Sequence, residues 1–107
     1  MSNVDSVKHF LRGQNLEQLG RVEEAIELYE KAVADRFDSS GPYDRLIRLY
    51  ADRARHTDVV RVAEAAIATV HTYADKVGWY ELMRAEALKA RTKVPRAVPK
   101  GDAGPTR

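Results

Sequence analysis

The chain of 107 residues has no cysteine, a single tryptophan at position 79, and only four prolines. Without thiols it can have neither a disulfide framework nor a thiolate metal site. No apolar run approaches the roughly 20 residues that a membrane-spanning helix needs. The opening Met1-Ser2-Asn3-Val4-Asp5 lacks the basic and then apolar order of a secretory signal, so a cytoplasmic protein is expected. His9, His56 and His71 are scattered with no paired spacing for a metal, and no glycine-rich phosphate loop, nucleophile elbow or HExxH motif is present. The many carboxylates fall on faces where nothing would raise their pKa. No catalytic residue, metal ligand or cofactor is expected, and the chain does not read as an enzyme.

Charge is unevenly spread. Residues 1–38 carry 5 basic and 8 acidic side chains, residues 39–90 carry 8 and 7, and residues 91–107 carry 5 and 1. The pI near 9.0 therefore owes much to the C-terminal stretch. A folded part so close to neutral argues against nucleic acid as the main partner, because phosphate binding needs a basic folded face. The excess of arginine (12) over lysine (6), with abundant alanine, points through codon usage to a GC-rich bacterial source.

What is present is helical periodicity. Gly20 is followed by Arg21-Val22-Glu23-Glu24-Ala25-Ile26-Glu27-Leu28-Tyr29-Glu30-Lys31-Ala32-Val33, a helix stop and then an amphipathic helix. Moved 34 residues along, Ala25, Ile26, Leu28, Tyr29, Ala32 and Val33 fall on Val59, Val60, Val62, Ala63, Ala66 and Ile67, and all six positions stay apolar. A fixed period of this length is the signature of a helical repeat.

Five helices are predicted. The first starts at Ser2 or Asn3, with Ser2 and Asp5 spaced as a capping box, and presents Val7, Phe10, Leu11, Leu16 and Leu19. The second covers Val22 to Asp35 and buries Ala25, Ile26, Leu28, Tyr29, Ala32 and Val33. On its other side Glu23, Glu27 and Glu30 form a solvated acidic face. The third covers Pro42 to Arg53, and the fourth begins with Thr57 as N-cap and ends within 68–74. The last runs from Gly78 to Arg91. Adjacent Trp79 and Tyr80 cannot both point inward, and Tyr80 is expected to be the exposed one. Residues 93–107 hold three of the four prolines and two glycines, and are expected to be a disordered basic tail beyond a domain over 1–92.

Laid out in this way, the chain resembles the tetratricopeptide repeat family, whose 34-residue repeats are helical hairpins. Gly13, Leu16, Gly20, Ala25, Tyr29 and Ala32 match the first repeat, about 6–39. Tyr43, Leu46, Tyr50, Ala63 and Ala66 match the second, about 40–73. His9, Phe37 and Val59 depart from the pattern at positions where tryptophan, proline and alanine are usual. The final helix, with Trp79 and Leu82 three apart, resembles a capping helix if two residues are inserted near Thr72–Lys76. The resemblance implies an all-α fold of two helical-hairpin repeats plus a C-terminal capping helix, forming a short right-handed solenoid.

In that family the first helix of each repeat lines a concave groove that holds a peptide or protein segment. Position by position this implies a groove of Phe10, Gln14, Glu17, Asp44, Arg48, Tyr80 and Arg84, with Arg45 at its edge and Asp52 as a further candidate. Arg48 and Arg84 would offer two guanidinium forks to an acidic segment. The lysine and asparagine pattern by which chaperone-binding members hold a terminal carboxylate is missing, since Gln14 and Arg45 stand where asparagines are needed. The expected role is a protein–protein interaction scaffold. The alternatives are self-association into a homo-oligomer through an exposed end of a short stack, and a nucleic-acid-associated role for the basic tail with Arg45, Arg48, Arg53, Arg55 and Arg61.

Overall fold

A computed structural model describes residues 3–71 and 76–93. Five helices follow one another: α1 (Asn3–Gln18), α2 (Val22–Ala34), α3 (Ser40–Asp52), α4 (His56–Thr69) and α5 (Val77–Lys93), with no strand among the described residues. Each helix packs on the next in chain order. None is long and apolar enough to cross a membrane. The expected capping box rests on Ser2, the expected insertion mostly on Thr72–Asp75, and the expected tail almost wholly on residues 94–107, all outside the described residues.

Three of the links begin with the same closure, since after α2 as well Arg36 takes φ 57° and the Phe37 amide donates to the Ala32 carbonyl at 3.1 Å. Only the first and third lead straight into the next helix. After α1, Gly20 takes a left-handed φ of 82°, the Arg21 amide donates to the Leu16 carbonyl at 2.8 Å and the Gly20 amide to Glu17 at 3.0 Å. After α3, Ala54 takes φ 57°, the Arg55 amide donates to Tyr50 at 2.9 Å and the Ala54 amide to Ala51 at 3.1 Å. Each turn thus caps the orphan carbonyls at a helix C-terminus by a Schellman closure. The residues that open α2 and α4 also match, with φ/ψ of −91°/67° at Arg21 and −89°/69° at Arg55. Arg21 pairs with Glu24, and 34 positions on Arg55 pairs with Asp58. The entries into α2 and α4 therefore share their backbone geometry.

The core holds Ala25, Ile26 and Tyr29 of α2, Tyr43, Leu46, Ile47 and Tyr50 of α3, and Val59, Val62, Ala63 and Ala66 of α4, joined by Tyr80 and Ala87 of α5. Gly13 lets the first hairpin close: a Cβ there would stand 2.6 Å from Tyr29 Cε1. Gly41 does the same for the ring of Phe10, which lies on Tyr29 with centroids 5.9 Å apart. Phe10 is thus a wedge joining α1, α2 and α3.

Several expectations are corrected. Helix α3 begins at Ser40, so Pro42 lies inside its first turn, where a missing N–H costs nothing. Helix α4 begins at His56 with Arg55 at the cap position, leaving Thr57 within the helix. Leu28 and Val33 are only partly buried, and Glu30, placed on the solvated face, is partly buried as well. Val7 and Leu11 on α1, and Leu19 in the turn after it, are exposed, because an end helix is covered from one side only.

Candidate functional site

The predicted groove residues fall on α1, α3 and α5, and most are engaged with one another or with the core. Three carboxylates organise them. Glu17 of α1 accepts a hydrogen bond from the Tyr29 hydroxyl of α2 at 2.7 Å, and the guanidinium of Arg45 from α3 grips both its oxygens. Glu30 of α2 accepts from the Tyr50 hydroxyl of α3, and Arg61 of α4 meets it with 3.1 Å and 2.6 Å bonds. Asp44 of α3 accepts from the Tyr80 hydroxyl of α5 at 2.9 Å and from Lys76, just before α5, at 2.5 Å. In each case a buried phenol meets a carboxylate from an earlier helix, and a cation neutralises that carboxylate from the surface side. A buried hydroxyl without a partner is costly, and the carboxylate removes that cost.

The electrostatics follow. Burial would raise the Glu17 carboxyl, but the hydrogen bonds from Arg45 and Tyr29 outweigh it and hold it below its usual range. Burial, reinforced by the carboxylate acceptors, pushes the Tyr29, Tyr50 and Tyr80 phenols well up. Their cationic partners Arg45 and Arg61 are bound more firmly in the charged form, first through hydrogen bonds to Glu17 and Glu30. Tyr43 is the exception: its buried hydroxyl donates to no carboxylate among the described residues, and burial is the first cause that raises its phenol.

Tyr80 is fully buried, contrary to its expected exposure, and Trp79 is the partly exposed member of the pair. The inward positions of α5 are Tyr80, Met83 and Ala87, one residue out of step with the two-residue insertion. At about 100° per residue, that step carries Trp79 from the core to its edge. There two cations approach its ring, the Arg48 guanidinium at 5.2 Å and the Lys76 ammonium at 5.4 Å from its centroid. Such contacts contribute about 0.5–1 kcal/mol when exposed.

Two surface features remain open. Gln14, Glu17, Gln18 and Arg45 line a polar cleft of about 330 Å³ between α1 and α3. Beside α3 and α5, Arg48 is exposed, Trp79 and Lys76 are partly so, and Arg84 is half-buried with no ion pair among the described residues. Phe10, Glu17, Asp44, Arg45 and Tyr80 hold the helices together, whereas Gln14, Arg48 and Arg84 are open to a partner. Lys76 and Trp79 were missed as members of the face. Lys76 reaches Asp44 across 32 positions of chain, a distance that no local pattern signals. Among the described residues no cluster of three or more histidines and carboxylates could hold a metal ion. Comparison with known proteins finds no match to this chain among family models, curated proteins or solved structures.

Proposed function

We propose that this protein is a small cytoplasmic adaptor of two tetratricopeptide-like hairpins capped by α5, and that it binds an acidic peptide or protein segment on the face formed by α1, α3 and α5. The matching cap geometry at Arg21 and Arg55, 34 positions apart, and the matching apolar positions support the repeat reading. The observation that carries the binding reading is the partly exposed Trp79 ring with Arg48 and Lys76 within 5.4 Å of its centroid. Charges elsewhere on this face are neutralised internally, with Glu17 on Arg45 and Asp44 on Lys76 and Tyr80. Arg48 has no carboxylate partner among the described residues and stacks on Trp79, while Arg84 lies about 140° further round α5. The two guanidinium forks therefore stand on either side of the inward positions of that helix and suit separate carboxylates of an extended segment.

The single tryptophan reports on its own site. Titration with peptides of graded acidity should shift Trp79 emission saturably for acidic members, and Arg48→Glu should weaken binding about tenfold through like-charge repulsion. Equal affinity for wild type and Arg48→Glu/Arg84→Glu, at unchanged helicity, would remove this face from the reading. A response to single-stranded oligonucleotides that weakens steeply with salt, with none to peptides, would favour the nucleic-acid alternative.

A further inference from the structure

The outer side of α5 carries a second surface, separate from the face just described. Helix α5 turns Tyr80 and Ala87 towards the core and packs on α4. On its opposite side Gly78, Glu81, Leu82, Ala85, Leu88, Lys89 and Thr92 are all exposed. At 3.6 residues per turn these positions occupy one arc of about 120°, centred on Ala85. Two of them are large and apolar, Leu82 at 54% and Leu88 at 37% exposure.

The order of residues on this arc is self-complementary. If a second α5 lies antiparallel with the two-fold axis at Ala85, Glu81 meets Lys89 of the other copy across the seam. Leu82 packs on the stem of that Lys89, and Leu88 lies beside the other copy's Glu81. Gly78 then meets Thr92, and each of these pairings recurs on the other side of the axis. The smallest side chain of the central turn, Ala85, sits at the crossing, where helix axes approach within 8–10 Å. A symmetric dimer requires this of its interface: one patch that satisfies itself under a two-fold rotation.

The other exposed apolar stripe, Val4, Val7 and Leu11 on α1, lacks this property. Pairing it with itself puts the axis between Val7 and Lys8 and brings two lysines together. Seating it on α5 of another molecule gives a head-to-tail contact that does not close on itself.

We infer that α5 is a homodimerisation helix that pairs antiparallel with α5 of a second copy through Leu82, Ala85 and Leu88, with Glu81–Lys89 ion pairs on both sides. One helix pair buries less than the roughly 1,200 Å² of a standard interface, so the dimer is reversible and forms at high concentration.

Sedimentation equilibrium from micromolar to millimolar protein tests this. The average mass should rise from 12.1 kDa towards double. Ala85→Arg, at an exposed site where the fold is indifferent, should keep the protein monomeric throughout. Glu81→Lys and Lys89→Glu should each weaken association about tenfold, and the double exchange should restore it, because only antiparallel pairing brings these two positions together. Circular dichroism confirms that each variant is folded. A mass fixed at 12.1 kDa up to millimolar concentration would overturn the inference, as would a dimer that survives Ala85→Arg or one abolished by Leu11→Glu instead.

Discussion

The Tyr29 hydroxyl donates to Glu17 across 2.7 Å, from the second helix to the first, and Arg45 of the third helix closes on the same carboxylate. Removing Glu17 therefore strands a buried phenol and frees a cation at one stroke. Glu17→Ala should cost about 1–3 kcal/mol in urea unfolding, whereas Tyr29→Phe, which removes the buried donor with its need, should cost about 0.5–1.5 kcal/mol. The double variant should lose less than the sum, and strict additivity would show that the pair is not coupled.

Stability should fall at both ends of the pH scale. The Tyr29, Tyr50 and Tyr80 phenols sit above their ordinary value of 10.0, through burial first and the nearby carboxylates second. Unfolded phenols release protons near pH 10 and folded ones do not, so their contribution is complete below that pH and drains away above it. Tyrosinate absorbance should thus appear together with loss of helix, and Tyr50→Phe should flatten the alkaline limb. Glu17 has the opposite sign: its folded carboxyl is lowered from 4.5, so its contribution is present above that value and lost as pH falls through the folded one. Glu17→Gln should remove that part of the acid limb.

The paired turns make a reciprocal test. Gly20 and Ala54 share a left-handed φ, which costs a residue with a Cβ roughly 1 kcal/mol. Ala54→Gly should stabilise the protein by about 0.5–1 kcal/mol, while Gly20→Ala should destabilise it by a similar amount. Thermal midpoints that move the same way for both substitutions would contradict the equivalence.

Gly13 is held by packing instead. Its α-carbon faces the Tyr29 ring, and an added methyl would lie 2.6 Å from Cε1. Gly13→Ala should cost roughly 1–3 kcal/mol, as overpacking of a buried contact does. Combined with Tyr29→Ala, which empties that space, the added methyl should cost little further.

Much of the helical layout could be read from the chain because apolar spacing and glycine stops are local signals. Ala25, Ile26, Tyr29 and Ala32 are buried as their spacing requires. Val7 and Leu11 follow the same spacing and are exposed, since periodicity marks a stripe without saying what covers it. Trp79 and Tyr80 were exchanged because a one-residue change of register turns a helix by about 100°. The contacts that tie the candidate face together were out of reach for another reason. Glu17 and Arg45, or Asp44 and Tyr80, meet only once three helices have been stacked, and nothing near either partner in the chain announces it.

The order of partners along the chain has a consequence for synthesis. Glu17 precedes Tyr29 and Arg45, Glu30 precedes Tyr50 and Arg61, and Asp44 precedes Lys76 and Tyr80. A growing polypeptide therefore exposes each acceptor first, when water still solvates it without penalty. Each later helix brings in its phenol with the waiting carboxylate already in place, so none of these three hydroxyls has to be buried before it has somewhere to donate. The molecule can be assembled from its first residue towards its last, one helix at a time, with every addition completed by what has already folded.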